Sequence, residues 1–198
     1  MQEAVLNLIR VSLREHQRNG VWVRTGNQLG KTVPGTAYPC APGGPNDWVF
    51  IYAQPQMWPA VCKVLGRPEL EQDPLYKMAA DRWTNRAALD AIVSEWTSAR
   101  TKHEVMELMG GASVPAGACQ DTAEVLADPH LKARDMIVDL DYPPRGAFKT
   151  AGCPLKLSDS PASITRPPML GEHTESVLRE LCGIVAEDVK RMKQEGIV

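Results

Sequence analysis

Prolines and glycines interrupt this chain in two long segments, where neither a regular helix nor a central strand can form. Residues 19–47 are rich in glycine, proline and asparagine, a composition typical of turns and connections. Residues 158–170 contain Pro161, Pro167 and Pro168 and have almost no apolar periodicity. Proline lacks the backbone N–H that helices and sheets use, and it drives the preceding residue out of the helical region. We therefore predict long connections at both places.

The segment between these connections alternates strand and helix patterns. Residues 48–53 have the β-branched and aromatic content of a strand, and residues 56–65 are predicted to form a helix that Gly66 ends. A second helix is expected behind Thr84 or Asn85 as its cap. Its apolar positions keep helical spacing: Leu89, Ile92, Val93 and Trp96.

Further elements are predicted on both sides of that segment. Thr101 and Glu104 are spaced as a capping box, in which each side chain bonds the other residue's backbone N–H. The other predicted elements are a short helix ended by Asp128-Pro129, strands over 136–141 and 148–157, and helices over 1–18, near 172–182 and over 186–195. The first of these helices has apolar periodicity from Met1 and no capping residue, as in a helix that continues from an upstream segment.

These patterns predict three segments in a protein that mixes helices and strands. The fold class is α/β for the complete protein and α+β for this chain by itself. Residues 37–141 form a small α+β domain, and residues 1–36 and 142–198 are pieces of another domain.

The composition excludes several classes of partner and site. Lys and Arg number 22 against 24 Asp and Glu, a net charge of −2, and the charges are interspersed, which does not favour nucleic-acid binding. The five cysteines include no C-x-x-C pair and the four histidines are not clustered, so neither a disulfide framework nor a metal site is predicted. No apolar run approaches the roughly 18 residues of a membrane helix and no export signal is visible. We expect a cytoplasmic protein with reduced thiols and no membrane partner.

The segment Gly26-Asn-Gln-Leu-Gly30-Lys31-Thr32 is similar to a phosphate-binding loop but departs from it twice. It is one residue shorter than the G-x-x-x-x-G-K-[ST] pattern. Pro34 follows too closely for a helix to begin after Thr32 and hold a phosphate at its N-terminus. Nucleoside triphosphate binding is therefore not predicted.

The sequence around the histidines and around Cys40 does not indicate a catalytic role for any of them. His173 precedes a predicted helix beside Thr174, and a structural or capping role is the better interpretation. The other histidines, at positions 16, 103 and 130, lack a carboxylate at a spacing that predicts a catalytic pair. Cys40 is interpreted as a small buried residue, because nothing near it in the sequence would lower the pKa of its thiol.

Six stretches together resemble the class III CoA-transferases (the CaiB/BaiF family), of the formyl-CoA transferase type. They are residues 1–8, 26–27, 34–40, 66–69, 152–161 and 166–178. The resemblance covers nearly the whole chain but only the second half of such an enzyme. It implies an α/β fold in which two chains interlock, with a small inserted domain followed by a C-terminal return to a large domain.

The resemblance also implies a reaction and its substrates. Such enzymes move CoA from an acyl-CoA, here formyl-CoA, to a carboxylic acid such as oxalate, through an aspartyl anhydride and an aspartyl-CoA thioester. It implies no cofactor besides the CoA thioester, which is a substrate, and as partner a second copy of the chain or a complementary N-terminal half. The catalytic aspartate would precede Met1, so no residue of this chain is assigned as catalytic and no metal ligand is expected.

Two parts of the implied substrate site lie in this chain. Met1 matches a methionine near the CoA thioester, and Gly30, Lys31 and Thr32 lie where the family has a denser glycine-rich segment that closes over the acyl intermediate. Two alternatives stay open. The chain could be part of an acyl-CoA racemase of the same fold, or a non-catalytic fragment or assembly subunit, and only the missing half would separate these possibilities.

Overall fold

A computed structural model describes residues 1–21 and 24–198 as a mixture of helices and strands, as predicted. Their contacts define two compact units, Met1–Asp121 and Thr122–Val198. The organisation predicted from the sequence, with boundaries after residues 36 and 141, stays a prediction.

The first unit begins with two helices where the sequence predicted one. Helix α1 (Gln2–Leu8) and helix α2 (Arg10–Asn19) are separated by Ile9, whose backbone leaves the helical region at φ −95° and ψ 12°. The apolar side chains of α1 are exposed rather than packed, including Val5 and Leu8.

The centre of the first unit is a three-stranded antiparallel sheet in the order β1-β2-β3. The strands are β1 (Gly35–Pro39), β2 (Trp48–Tyr52) and β3 (Ala116–Ala118). Strand β2 confirms the prediction for residues 48–53, and its Val49 and Ile51 are fully buried on one face. Strand β1 lies inside a segment predicted to be a connection. It forms because each of its residues pairs with one of β2.

Four helices surround this sheet. They are α3 (Trp58–Leu65), α4 (Ala79–Thr84), α5 (Arg86–Ser98) and α6 (Lys102–Gly111). Gly66 ends α3 in the left-handed conformation, at φ +70°, where glycine has no steric penalty. Their apolar faces form one core with the sheet, built around fully buried residues that include Val61, Leu89, Val93, Val105 and Met109.

The predicted capping box starts α6. The Thr101 hydroxyl accepts from the Glu104 N–H at 3.3 Å, and the Glu104 carboxylate accepts from the Thr101 N–H at 2.7 Å. Asn85 precedes α5 as predicted but does not cap it. Its amide instead donates to the carbonyls of Leu75 and Asp81, because the preceding segment lies within reach.

The second unit combines short helices with a hairpin. Its elements are α7 (Thr122–Ala127), α8 (Pro129–Ala133), β4 (Ile137–Tyr142), β5 (Gly146–Ala151), α9 (Thr174–Cys182) and α10 (Ala186–Gln194). Strand β5 ends at Ala151 and not at 157. The next residue, Gly152, lies close to the backbone just before β4, and its N–H donates to the Met136 carbonyl at 2.9 Å. A Cβ at Gly152 would lie 2.1 Å from the Asp135 carbonyl oxygen, so only glycine fits there. Residues 158–170 contain no regular element, as predicted.

Candidate functional site

The candidate site begins with a short loop, residues 24–32, which we call the glycine loop. It is closed by its own hydrogen bonds. The Thr25 hydroxyl donates to the Gln28 carbonyl at 2.8 Å, and the Thr32 N–H donates to the Leu29 carbonyl at 3.3 Å. Both bonds join residues three positions apart, so part of the loop's shape is held by local contacts.

The base of the glycine loop, by contrast, is buried. Val33, Pro34 and Gly35 lie in the core of the first unit. The Pro34 carbonyl accepts from the Ala53 N–H at 2.9 Å, and the Gly35 carbonyl accepts from the Leu29 N–H at 2.7 Å. The loop is therefore exposed at its tip and fixed where it enters β1.

Three predicted site residues lie together in this loop. Gly30 has φ +60°, and a Cβ built there would meet nothing within 4 Å. Lys31 is exposed and Thr32 is half-buried. The segment after Thr32 leads into β1 and not into a helix, so the loop lacks the helix N-terminus of a phosphate-binding loop, in agreement with the sequence.

Met1, the fourth predicted residue, precedes α1 and is fully exposed, at 105% relative accessibility. It borders an apolar groove formed by its own helix and by Ile9, and no described residue of the glycine loop lines that groove. A role in substrate binding stays a prediction for Met1, Gly30, Lys31 and Thr32.

The structure places His173 and Cys40 in different surroundings. His173 is exposed at the N-cap position of α9, where its side chain makes no capping hydrogen bond and its carbonyl accepts from the Val177 N–H at 2.9 Å. Cys40 is buried, and burial with Asp47 nearby raises the pKa of its thiol to about 11. A thiol with so high a pKa is a poor nucleophile at neutral pH.

The sequence did not predict a buried pair formed by Tyr38 and Asp90. The Tyr38 hydroxyl donates to the Asp90 carboxylate at 2.6 Å and ties β1 to α5 across 52 sequence positions. Burial is the main reason that the pKa of each group is raised, and for Tyr38 the Asp90 charge adds to it. No local pattern could have indicated this pair.

In the second unit, the carboxylate of Glu172 closes the turn before α9. It accepts from the Met169 N–H at 2.6 Å and from Arg166 Nη1 at 2.8 Å, and Arg166 Nη2 contacts its other oxygen. These bonds lower the pKa of Glu172 to about 2. They give Arg166 and Glu172, both in the motif over residues 166–178, a structural role.

The described residues contain neither a metal-binding cluster nor a membrane-spanning helix. In residues 1–21 and 24–198, no group of three or more His, Cys, Asp or Glu side chains is placed to hold a metal ion. Within the same ranges, no helix has the length and apolar character needed to cross a membrane.

The fold and the motifs define the class of protein. The chain belongs to CoA-transferase family III, which it matches over residues 1–174. It is 39% identical to the formyl-CoA:oxalate CoA-transferase of Streptomyces coelicolor, an alignment that covers 100% of this chain and 52% of that protein. Its identity to the protein of the same name from Bradyrhizobium sp. ORS 278 is 33%, over 99% of this chain and 51% of the relative. The chain thus spans about half the length of the curated relatives it matches.

Solved structures support the family fold. A CaiB/BaiF family protein from Brucella suis superposes with a TM-score of 0.72 at 26% identity, over 88% of this chain and 45% of that one. Rv3272 from Mycobacterium tuberculosis shares the fold, with a TM-score of 0.65 at 21% identity, over 88% of this chain and 45% of that one. The predicted family membership and fold class are therefore confirmed.

Proposed function

We propose that this chain is part of a CoA-transferase that moves CoA from formyl-CoA to oxalate through an aspartyl-CoA intermediate. The observation that carries the proposal is the 39% identity, over the whole chain, to a formyl-CoA:oxalate CoA-transferase. The whole enzyme would be a homodimer or a complex with a complementary half, located in the cytoplasm.

The proposed reaction proceeds by exchange at a carboxylate nucleophile. The carboxylate attacks the thioester carbon and releases CoA thiolate. The thiolate then attacks the aspartyl carbonyl, releasing formate and leaving an aspartyl thioester. Oxalate then attacks the aspartyl thioester, releases the thiolate and forms an aspartyl-oxalyl anhydride. The thiolate finally attacks the oxalyl carbonyl of this anhydride, which gives oxalyl-CoA and releases the aspartate carboxylate.

We place the catalytic aspartate in the half that the relatives have in addition, because the family resemblance implies a nucleophile upstream of Met1. Several described carboxylates with clear pKa shifts have structural partners, including Glu69, which pairs with Arg67. Asp90 accepts from Tyr38, Glu104 caps α6, and Glu172 holds the turn before α9.

The glycine loop supplies the contribution of this chain to the reaction. Both the anhydride and the thioester would be lost to hydrolysis if water reached them, so a cover over the intermediate increases the yield of transfer. A loop with an exposed tip and a buried base can move over a bound acyl group while staying attached to the core.

Transfer assays on two proteins test this proposal. The chain alone should exchange no acyl group between formyl-CoA and oxalate. The chain fused behind the N-terminal half of the Streptomyces coelicolor relative should form oxalyl-CoA, detected by chromatography. Turnover by the chain alone would contradict the placement of the nucleophile. A fusion that melts cooperatively and forms no oxalyl-CoA would contradict the proposed transfer from formyl-CoA to oxalate.

A further inference from the structure

Helix α4 carries a buried arginine whose hydrogen-bond partners are backbone carbonyls. Arg82 is 3% exposed. Its Nε donates to the Val33 carbonyl at 3.2 Å, and its Nη1 donates to the carbonyls of Tyr76 and Lys77 at 2.8 and 3.0 Å. The guanidinium therefore joins three backbone positions from two separate segments.

An aromatic ring fixes the plane of this guanidinium. Its central carbon lies 4.9 Å from the centre of the Trp58 ring, within the range of a cation–π contact. Trp58 is itself 3% exposed and donates to the Leu70 carbonyl at 3.3 Å. The ring is thus held in place independently of Arg82.

Burying this charge is costly, and the hydrogen bonds that the guanidinium donates offset part of that cost. Burial is the main cause that lowers the pKa of Arg82, against the opposing effect of the Asp81 charge, and the three acceptors named above are all backbone carbonyls. An apolar side chain at this position would leave the three carbonyls without this donor, which costs stability. A planar group with several donors is needed only if the positions of the carbonyls matter.

One of those carbonyls belongs to Val33, the first residue after the glycine loop. Val33 directly follows Thr32, and it lies 49 positions from Arg82 in the sequence. The next two residues hold the loop, since Pro34 is bonded to Ala53 and Gly35 to Leu29. Fixing the Val33 carbonyl therefore sets the direction in which the loop leaves the core.

We propose that Arg82 is a positioning residue for the glycine loop. It bonds the Val33 carbonyl while its guanidinium lies over the Trp58 ring, so the point at which the loop leaves the core is fixed. The effect on turnover rests on the proposed function, whereas the effect on the loop itself does not. Arg82 acts through the loop and is not proposed to touch the substrate.

The first test measures the loop in this chain without any substrate. We compare Arg82→Lys and Arg82→Met with the unmodified chain by hydrogen exchange of the peptide over residues 24–35 and by tryptic cleavage after Lys31. Lysine keeps the charge but lacks the planar set of donors. Loss of the Val33 contact should raise both rates about tenfold in Arg82→Lys, while the peptide over residues 86–98 of α5 exchanges unchanged.

Arg86→Lys is the matched control. Arg86 is exposed, donates to the Trp83 carbonyl one turn away at 3.2 Å and lies 4.7 Å from the Trp83 ring centre. This replacement should leave both loop rates unchanged. Unchanged loop rates in Arg82→Lys, or an equal increase in the α5 peptide, would overturn the proposal, because the arginine would then be inert or merely structural.

The second test uses the fused enzyme. Arg82→Lys should lower kcat for oxalyl-CoA formation and leave KM for formyl-CoA unchanged, since the loop acts after binding. A loosened loop with normal kcat supports the positioning role and contradicts instead the part assigned to the loop in turnover. The two proposals can therefore fail separately.

Discussion

Replacing Gly30 with valine is predicted to disturb the glycine loop and not the core. Gly30 has φ +60°, and a Cβ there would meet no atom within 4 Å. The cost therefore comes from backbone strain alone, about 1–2 kcal/mol for a residue with a Cβ in the left-handed region. A β-branched side chain is among the least tolerated there.

The loop can relieve this strain by opening, because two of the hydrogen bonds that close it join residues within the loop. The bond from the Thr32 N–H to the Leu29 carbonyl, at 3.3 Å, is the longest of those described above and would break first. A strain of 1–2 kcal/mol raises the open population about 5- to 30-fold. Exchange of the peptide over residues 26–32 should rise by that factor, and the melting temperature of the chain should change little.

In the fused enzyme, Gly30→Val should lower kcat for oxalyl-CoA formation. Gly30→Asn is the control at the same position, because asparagine tolerates the left-handed conformation far better than valine does. A normal rate for Gly30→Val at saturating substrate would remove the loop from the site. Equal damage from asparagine and valine would refute the strain argument, since the side chain itself would then be the cause.

Two further predictions concern the buried pair and the turn before α9. Tyr38→Phe should lower the free energy of unfolding by about 1.5–3 kcal/mol, because it deprives a half-buried carboxylate of a hydroxyl donor. Asp90→Asn keeps an acceptor for the Tyr38 hydroxyl and should lower it less. Equal losses for the two variants in urea unfolding would argue against the bond. The pKa of Glu172 falls in the folded chain from 4.5 to about 2, so the stability gained from its bonds is complete above 4.5 and is lost as the pH falls toward 2. Titration of its carboxyl carbon by NMR should show the low pKa, and Arg166→Met should return it toward 4.5; an unchanged pKa in that variant would exclude the ion pair as its main cause.

Local patterns in the sequence determined the elements whose signals lie within a few residues. The capping box of Thr101 and Glu104 requires only two residues three positions apart, and Gly66 ends α3 through its own backbone conformation. The alternation that buries Val49 and Ile51 likewise lies within one strand. The short motifs over residues 152–161 and 166–178 were sufficient to indicate the family, because they are specific and need no geometry to be recognised.

Tertiary structure decided the features that join distant parts of the chain. Strand β1 has the composition of a connection and becomes a strand only by pairing with β2. The bond between Tyr38 and Asp90 and the bond between Arg82 and Val33 span 52 and 49 positions. No local pattern encodes such contacts, because they depend on how the helices pack against the sheet. The sequence thus indicated the glycine loop, and only the packed core showed what fixes its base.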